Sequence, residues 1–471
     1  MARICVLGGG VCGLATAMML ARDGHEVTVF EKDGEEPPES PEEAWEAWER
    51  KGVAQFRQPH NLHARVRHIL QAELPEVLAG LREANAHRMD PLDSLPPFIA
   101  DRAPRAGDDR FWTLTGRRAV VESVFARAAR EEPRLELVRG ERVLGLTTGA
   151  SAVEGVPHVT GIETETRGAI GADLVVDAMG RQSKLADWIA AAGGKRPREQ
   201  AEDCQFTYYS RFYASPEGGV PQMIAPILSP FATYAILTLP ADNNHWSVTI
   251  AISNADQAMK RLRATQAWEA FVSAHPLHKH WLDGLPASDV LPLAGVLDRR
   301  RWFVVDGAPV ATGVAAVADA WACTNPQAGR GIAVGMLHAV RLRDVVREHL
   351  DAPARFAEAW DETTERDVAP WFDLQVRQDR AYVAAMNAER EGRPAPAPEG
   401  ERAQLEAAFQ LAAVHDADLF RGFMEVVTCQ TLPEQVLARP GMAERALAVA
   451  KDKTPVALPA PPREELLALL A

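Results

Sequence analysis

The sequence predicts an α/β protein in which a parallel sheet is interleaved with an antiparallel sheet and followed by a helical C-terminal region. Three observations predict this architecture: a strand–turn–helix–strand pattern at the N-terminus, β-rich runs over 206–252, and helical spacing beyond residue 350. At 471 residues, the chain can bury a large core in two or three lobes. The expected domains are a discontinuous nucleotide-binding domain at 1–200 and 290–350, a β-sheet substrate domain at 201–289, and a helical region at 351–471.

The N-terminal segment has the pattern of a Rossmann-like βαβ unit. An apolar run at 3–7 predicts a buried parallel strand, helix formers at 14–22 predict a helix, and residues 26–30 predict the second strand. A signal peptide or a membrane helix requires an unbroken apolar run, whereas three consecutive glycines interrupt residues 4–21. We therefore interpret this segment as part of the folded core.

The turn between the first strand and the helix carries a phosphate-binding fingerprint. Gly8, Gly10 and Gly13 fit G-x-G-x-x-G, which allows a tight turn, close approach of a pyrophosphate, and close packing of the helix on the strand. Glu31 follows Gly8 by 23 residues, the position from which a carboxylate accepts hydrogen bonds from ribose hydroxyls. Free amides and the dipole at the helix start attract the phosphates. Together these features predict a bound adenine dinucleotide.

Composition excludes some other classes of protein. The net charge of −14 and the pI near 5.5 argue against nucleic-acid binding and give no reason to expect binding to anionic membranes. An odd number of cysteines without C-x-x-C fits free thiols in a reducing cytoplasm, and no paired Cys/His spacing suggests a metal site. The cysteines are Cys5, Cys12, Cys204, Cys323 and Cys429.

Two basic stretches follow the first unit. Arg57 and His60 precede a helix predicted at 63–81, in a loop where we expect them to face a cofactor ring or a substrate. His63, in contrast, is expected at a solvated helix end. Arg118 lies at the start of another predicted helix, where a cation is unfavourable for the helix dipole unless it faces a phosphate or a similar group.

The middle of the chain is rich in predicted strands. Runs at 135–148 and 158–166 predict two or three strands of an antiparallel ribbon. Four runs within 206–252 predict an antiparallel sheet that covers one side of a pocket. A valine-rich run at 310–317 predicts another buried strand, which Asp319 ends.

A second glycine-rich loop precedes a helix predicted at about 332–346. Gly329 and Gly331 do not form a second dinucleotide fingerprint, because Asp319 stands before them rather than about 20 residues after them. The helix start can instead stabilise negative charge on the pyrimidine edge of a reduced flavin.

Three separated segments resemble FAD-dependent monooxygenases of the para-hydroxybenzoate hydroxylase fold. They are GGGVCG with Glu31, DLVVDAMGRQS at 173–183, and ADAWACTNPQAGRG at 318–331. Within that group the chain looks most similar to polyether-type flavin epoxidases, because GVAQFRQPH at 52–60 resembles their G-V-P-Q-x-R-H-x-H. Two positions depart from the pattern. Ala318 stands where the family usually has Gly, and Gln58 stands where its first His is expected.

The resemblance implies specific roles for residues of this chain. Arg57 and His60 would lie near the flavin ring and the substrate as candidate catalytic residues, and Asp319 would bind ribityl hydroxyls. The complete set of implied cofactor-binding residues is Gly8, Gly10, Val11, Cys12, Gly13, Glu31, Lys32, Arg118, Val143, Asp319, Pro326, Gly329, Arg330, Gly331 and Ile332.

The function that the resemblance implies is oxygen transfer from O2, through a flavin C4a-hydroperoxide, to an apolar or electron-rich small molecule, by epoxidation or hydroxylation. FAD is the expected cofactor, and either NAD(P)H acting transiently or a separate flavin reductase would supply electrons. An FAD-dependent dehydrogenase or reductase of the same fold is the main alternative. A flavin halogenase is less favoured, because its G-W-x-W-x-I-P signature is missing from the sequence.

Overall fold

The computed structural model describes residues 1–215 and 217–470; Pro216 and Ala471, which fall within two of the predicted domains, lie outside the described residues. The strands are Arg3–Leu7 (β1), Glu26–Glu31 (β2), Pro59–Leu62 (β3), His87–Met89 (β4), Thr113–Arg117 (β5), Leu135–Arg139 (β6), Val143–Val153 (β7), Val156–Thr164 (β8), Gly168–Gly171 (β9), Leu174–Asp177 (β10), Arg198–Asp203 (β11), Phe206–Ala214 (β12), Leu228–Pro230 (β13), Tyr234–Pro240 (β14), His245–Ser253 (β15), Leu285–Pro286 (β16), Leu291–Leu293 (β17), Leu297–Trp302 (β18), Val304–Val305 (β19), Ala308–Pro309 (β20), Val314–Ala316 (β21) and Ala322–Cys323 (β22).

The helices connect these strands and form most of the chain beyond residue 330. They are Val11–Arg22 (α1), Pro41–Glu46 (α2), Ala64–Glu73 (α3), Pro75–Glu83 (α4), Arg118–Glu131 (α5), Leu185–Ala191 (α6), Thr265–Ser273 (α7), Gly331–His349 (α8), Pro353–Asp367 (α9), Ala369–Arg390 (α10), Gly400–Ala413 (α11), Ala417–Val427 (α12), Pro433–Leu437 (α13), Met442–Ala450 (α14) and Arg463–Leu469 (α15).

A five-stranded parallel sheet is the centre of the first lobe. Its strand order is β21-β10-β1-β2-β6, and β1 lies in the middle with β2 and β10 as parallel neighbours. Both faces of β1 are covered. Ile4 and Val6 pack in the cluster that contains α1 and α8, and Cys5 and Leu7 pack in the cluster on the opposite face. The predicted parallel sheet with a βαβ start is confirmed.

The prediction for residues 135–148 was partly wrong. Leu135–Arg139 does not join the ribbon but forms β6, which pairs in parallel with β2 at the edge of the central sheet. Only β7, β8 and β9 form the antiparallel ribbon. The sequence is ambiguous here because Arg139 and Val143 are separated by a short turn at Gly140, which suits a continuous hairpin as well as a change of sheet.

The second lobe is built on a six-stranded antiparallel sheet, as predicted from residues 206–252. Strands run in the order β13-β14-β15-β12-β16, and β17 also pairs with β12. A smaller sheet, β11-β18-β22, lies where the chain passes between the lobes, and β3-β5-β4 forms a further three-stranded sheet.

The helix predicted over 63–81 is two helices. Pro75 has no amide hydrogen and lies at the start of α4, so the first helix ends at Glu73 and Leu74 separates the two. In the C-terminal region the structure is helical, as predicted. The α15 helix packs its Leu466 into the core of the second lobe, and the buried Asp256 pairs with Arg463 at 2.7 Å. Within the described residues, no helix has the length and apolar character needed to cross a bilayer.

Candidate cofactor and substrate site

One cavity of about 740 Å³ lies between the two lobes. The carboxyl ends of β1, β2, β10 and β21 open onto it through Leu7, Glu31, Ala178 and Ala318. Ligands of parallel α/β sheets bind at this edge, since the loops and helix N-termini converge there. The six-stranded sheet supplies the opposite wall through Tyr208 and its neighbours.

Every cofactor-binding residue predicted from the sequence lines this cavity. They come from segments more than 300 residues apart in the chain, and the fold gathers them around the same space. The residues are Gly8, Gly10, Val11, Cys12, Gly13, Glu31, Lys32, Arg118, Val143, Asp319, Pro326, Gly329, Arg330, Gly331 and Ile332.

The first glycine turn has room only for glycine at two positions and faces open space at a third. Gly8 has φ +107°, and a Cβ there would lie 2.5 Å from the Ala178 carbonyl oxygen. A Cβ on Gly13 would collide with the Gly8 carbonyl oxygen. Around Gly10, in contrast, no atom lies within 4 Å of the Cβ position, so a pyrophosphate has direct access to the backbone at the start of α1.

Glu31 lies at the end of β2 in a buried network of charges. Its Oε2 accepts a hydrogen bond from Gly9 N–H at 2.8 Å and pairs with the Arg50 guanidinium, and its Oε1 accepts from Asp33 N–H at 2.9 Å. A carboxylate has about four acceptor positions, so capacity for a ribose hydroxyl remains. Sequence reasoning missed Arg50, because it follows an acidic, proline-rich segment that carries no motif.

Arg118 extends this network along the cavity wall. Its Nε donates to Glu122 Oε1 at 2.7 Å, and Glu122 Oε2 also receives Arg50 Nη1 at 2.5 Å. Burial alone would raise the pKa of Glu122, but the two guanidinium groups lower it below its usual value. Glu122 therefore stays ionised and holds both arginines toward the cavity, where the Arg118 guanidinium can meet a phosphate.

The other end of the cavity is formed by the turns after β10 and β21 and by the start of α8. Asp319 lies 3.5 Å from the Arg181 guanidinium (Nε to Oδ2), and both side chains line the cavity. Gly331 begins α8, and no atom lies within 4 Å of its Cβ position, so the helix N-terminus faces the cavity as Gly10 does. Arg330 is buried, with Nη1 donating to Gln375 and Gln378 at 2.8 Å.

His63 is not at a solvated helix end, so that expectation was wrong. The side chain is 3% exposed, and its Nε2 donates to the Ala328 carbonyl oxygen at 2.8 Å. Burial lowers the pKa of His63 to about 4, so the ring is neutral at physiological pH. It fixes the glycine-rich loop that precedes α8.

The structure separates Arg57 from His60. Arg57 does not line the cavity; its guanidinium donates to the carbonyl oxygens of Trp45 and Trp48, the latter at 2.7 Å, and covers the C-terminal end of α2. This placement contradicts the expectation that Arg57 faces the ring or the substrate. The physical reason is that the orphan carbonyls at a helix end need donors, and Arg57 supplies them.

His60 lines the cavity and has a defined tautomer. Its Nδ1 lies 2.9 Å from the Gln58 carbonyl oxygen, which only accepts, so Nδ1 carries the hydrogen. Burial, followed by the charge of Arg118, lowers the pKa of His60 to about 3. The neutral ring therefore keeps an acceptor lone pair on Nε2.

Side chains from the six-stranded sheet form the opposite wall of the cavity, and sequence reasoning identified none of them individually. Apolar residues dominate this wall, with a few hydroxyl groups between them. The lining residues are Tyr208, Ser210, Leu228, Leu237, Thr249, Ala251 and Leu293. The aromatic rings of Trp371 and Phe372, at the start of α10, line the same cavity.

A chain of buried polar groups crosses from this wall to α10. The Tyr208 hydroxyl donates to Asn325 Oδ1, and Asn325 Nδ2 donates to Asp379 Oδ1 at 2.9 Å. Gln375 Nε2 donates to both oxygens of Asp379 at 3.0 Å and accepts from Arg330 through its own oxygen. Since Arg330 only donates, the Gln375 oxygen is its acceptor and the Gln375 amide nitrogen faces Asp379.

The residues present fit FAD. The open cradle at Gly10, the remaining acceptor capacity on Glu31 and the second helix start at Gly331 suit a long dinucleotide with phosphates in its middle. Buried polar atoms without partners also line the cavity, among them Asn61 Oδ1 and Arg330 Nε. Unpaired buried groups of this kind need a partner, which a polar ligand supplies.

Comparison with known proteins agrees with this geometry. Residues 3–40 match the family described as FAD dependent oxidoreductase. Protein Rv3254 of Mycobacterium tuberculosis is 26% identical over 371 residues, which cover 73% of this chain and 72% of that protein.

Solved structures of two other proteins have a similar fold. PqsL of Pseudomonas aeruginosa, described as a probable FAD-dependent monooxygenase, matches with a TM-score of 0.61 at 12% identity, covering 83% of this chain and 97% of PqsL. OxyS anhydrotetracycline hydroxylase of Streptomyces rimosus matches with a TM-score of 0.56 at 16% identity, covering 91% of this chain and 76% of OxyS. The chain therefore has an N-terminal segment that matches the FAD dependent oxidoreductases and a fold similar to that of PqsL and OxyS.

Proposed function

We propose that this chain is an FAD-dependent monooxygenase that inserts one oxygen atom from O2 into an apolar or electron-rich small molecule, by epoxidation or hydroxylation. The observation that carries the proposal is the cavity of about 740 Å³ between the lobes. Groups suited to a dinucleotide and a largely apolar wall suited to an organic molecule line the same space. The fold shared with PqsL and OxyS supports the assignment by analogy.

FAD supplies the activation of O2 once it is reduced, and the protein supplies binding, orientation and exclusion of water. Gly10 and Arg118 would hold the phosphates, Glu31 the adenosine ribose, and Asp319 the ribityl hydroxyls. Leu228, Leu237 and Leu293 make the substrate wall apolar, which keeps water away from the reacting groups.

His60 is the candidate catalytic residue that the geometry retains. Its tautomer leaves Nε2 as a hydrogen-bond acceptor, and His60 lines the same cavity as the substrate wall. A hydroxyl or N–H group of a bound substrate can donate to this nitrogen, which orients the substrate. Electrons would come from NAD(P)H bound transiently or from a separate flavin reductase, and the cytoplasm remains the expected location.

The experiment that tests the proposal follows the origin of the oxygen atom. FAD-loaded protein is reduced, mixed with ¹⁸O2 and a panel of electron-rich aromatics and alkenes, and the products are analysed by mass spectrometry. We expect one ¹⁸O atom in the product. Oxidation that proceeds without O2 in the presence of an artificial electron acceptor, with no ¹⁸O incorporated, would instead establish the alternative of a dehydrogenase or reductase.

A pair of leucine variants locates the reaction in the cavity. Leu237→Arg places a charge in the apolar wall and should reduce turnover by at least tenfold. Leu285→Arg, on the same sheet but 59% exposed, is the matched control and should leave turnover unchanged. Equal turnover in both variants would exclude this wall as the substrate site.

A further inference from the structure

The turn that presents Asp319 to the cavity contains a non-glycine residue in a glycine conformation. Ala318 has φ +51°, in the left-handed region, where the Cβ of an L-residue crowds the backbone. Such strain persists only where surrounding contacts impose it, and it concentrates at functional sites. A glycine would adopt this left-handed conformation without strain. For Ala318, contacts with its neighbours therefore have to stabilise it.

His338 on α8 is the neighbour that contacts the strained residue directly. The Ala318 backbone N–H donates to His338 Nδ1 at 3.1 Å. Because Nδ1 accepts, the hydrogen of the neutral ring lies on Nε2, which lies 3.1 Å from the Thr364 hydroxyl and donates to it. The side chain is fully buried, and burial lowers its pKa to about 3, so the Nδ1 lone pair is available at physiological pH.

Aromatic packing fixes the orientation of this ring. His338 stacks on Trp360 with centroids 4.4 Å apart and meets Trp321 edge-on at 5.1 Å. Its position along α8 is also constrained, since a Cβ on Gly335 would lie 2.5 Å from Cys12 Sγ and 3.0 Å from Ala318 Cβ. The helix thus packs closely against the turns that contain Cys12 and Ala318. The aromatic packing holds the imidazole beside the Ala318 amide.

We propose that His338 is a positioning residue for the cofactor: it holds Ala318 in the left-handed conformation by accepting its amide hydrogen and thereby keeps Asp319 directed at the cavity. The proposal rests on FAD as the cofactor and is independent of the reaction that follows. His338 acts through the backbone. If the turn relaxes into another conformation, the left-handed conformation has to be restored when FAD binds. The affinity for FAD is then reduced by the fraction of molecules that hold this conformation before binding.

The test is a double-mutant cycle read out by FAD affinity, measured with apoprotein by flavin fluorescence quenching. His338→Phe keeps a flat aromatic ring but removes the acceptor, and we expect the Kd for FAD to rise by about tenfold. Ala318→Gly adopts the left-handed conformation without strain, so in that background the same His338→Phe change should alter the Kd by less than about twofold. His338→Gln, which retains an acceptor oxygen, should recover part of the affinity.

A matched variant distinguishes positioning from general loss of core packing. His275→Phe removes another buried imidazole, one that packs in the second lobe against Tyr234 and Phe271, and should lower thermal stability without changing the Kd for FAD. An unchanged Kd in His338→Phe, or an equal rise with and without Ala318→Gly, would overturn the proposal.

A second measurement needs no variant and covers the case in which His338→Phe does not fold. Hydrogen exchange at the Ala318 amide of the wild-type apoprotein should be as slow as in the strands of the central sheet, because the amide is bonded inside the core. Fast exchange at this amide would overturn the proposal even if every variant misfolded. If the FAD affinities follow the expected double-mutant cycle but no monooxygenase activity is found, only the proposed function is contradicted.

Discussion

The two ends of the cavity are built in different ways. At the nucleotide end, the wall is formed mainly by backbone groups of a short contiguous segment. Their positions follow from the spacing of Gly8, Gly10 and Gly13. At the substrate end, isolated side chains from several strands and from α10 converge, and Tyr208 and Gln375 are far apart in sequence. The first arrangement has a local sequence pattern, whereas the second exists only after folding.

We therefore expect the cofactor and the substrate to be recognised through separable sets of contacts. Changes at the nucleotide end should act on FAD affinity, and changes at the substrate wall should act on turnover with FAD still bound. Four predictions test that separation, in order of decreasing expected effect.

The largest effect is expected from Gly10→Glu. No atom lies within 4 Å of the Cβ position, so the fold tolerates the side chain, but a carboxylate there repels the pyrophosphate and fills its space. We expect FAD affinity to fall at least 100-fold, by roughly 3 kcal/mol, with an unchanged melting temperature of the apoprotein. Gly145→Glu, at another unobstructed glycine on β7, is the control. Normal FAD binding by Gly10→Glu would remove the basis of the comparison.

Arg57→Met should affect stability and neither end of the cavity. The substitution removes the donors for the Trp45 and Trp48 carbonyl oxygens at the end of α2. We expect a loss of about 2 kcal/mol in the free energy of unfolding, measured by denaturant titration, with unchanged FAD affinity. A specific loss of turnover at normal stability would restore Arg57 as a catalytic candidate and contradict its observed placement.

Tyr208→Phe should affect the substrate end alone. The variant loses a hydroxyl that lines the cavity and leaves Asn325 Oδ1 without its donor. We expect kcat/KM to fall about tenfold while the Kd for FAD stays the same. Tyr209→Phe is the control, because that hydroxyl is directed to the other side of the sheet, 3.4 Å from the Lys260 carbonyl oxygen. Similar losses in both variants would mean that the hydroxyl has no specific role in the cavity.

The smallest effect concerns the pH dependence of stability. Burial raises the pKa of Asp379 from 3.8 to about 7. The folded protein thus keeps a proton that the unfolded chain releases, so the stabilisation is complete below about pH 4 and is lost as the pH rises through about 7. Between about pH 6 and pH 7, the free energy of unfolding should fall by about 1 kcal/mol less in Asp379→Asn than in the wild type.

The measurement for Asp379 is chemical denaturation of both proteins at a series of pH values. Asp177 and Asp361 also have pKa values raised to about 6 by burial, so the difference between variant and wild type is the informative quantity. Asp373→Asn, at an exposed carboxylate on the same helix, should leave the pH profile unchanged. An identical profile for Asp379→Asn would show that this carboxyl does not titrate in that range.

The same difference, between local sequence patterns and contacts that form only on folding, decides which parts of the structure the sequence predicts. The βαβ start and the edge at which ligands bind were predictable, because the period of the apolar runs and the glycine spacing are local properties. The division of the predicted helix into α3 and α4 was missed although Pro75 indicates it, because the apolar spacing continues across Leu74. The assignment of Arg57 failed because a loop arginine satisfies helix carbonyls as readily as it meets a ligand.

The substrate wall was unpredictable for a physical reason. In β12, eight consecutive residues are buried, so both faces of the strand lack the polar positions that mark the outer side of an ordinary sheet. Tyr208 and Ser210 line the cavity, while Tyr209 packs in the core on the other face, and the sequence FTYYSRFY distinguishes none of them. His338 was missed likewise, because its value depends on the conformation of Ala318, a residue 20 positions away.

The docking of α15 has a consequence for exchanging substrate specificity between related enzymes. The back of the six-stranded sheet is covered in part by Leu466 and Leu470, which lie far along the chain from the strands that they shield. If only the segment that contains the strands is transferred to a related enzyme, the apolar back of the sheet is exposed to solvent. The portable unit is the sheet together with α15, held by the ion pair between Asp256 and Arg463.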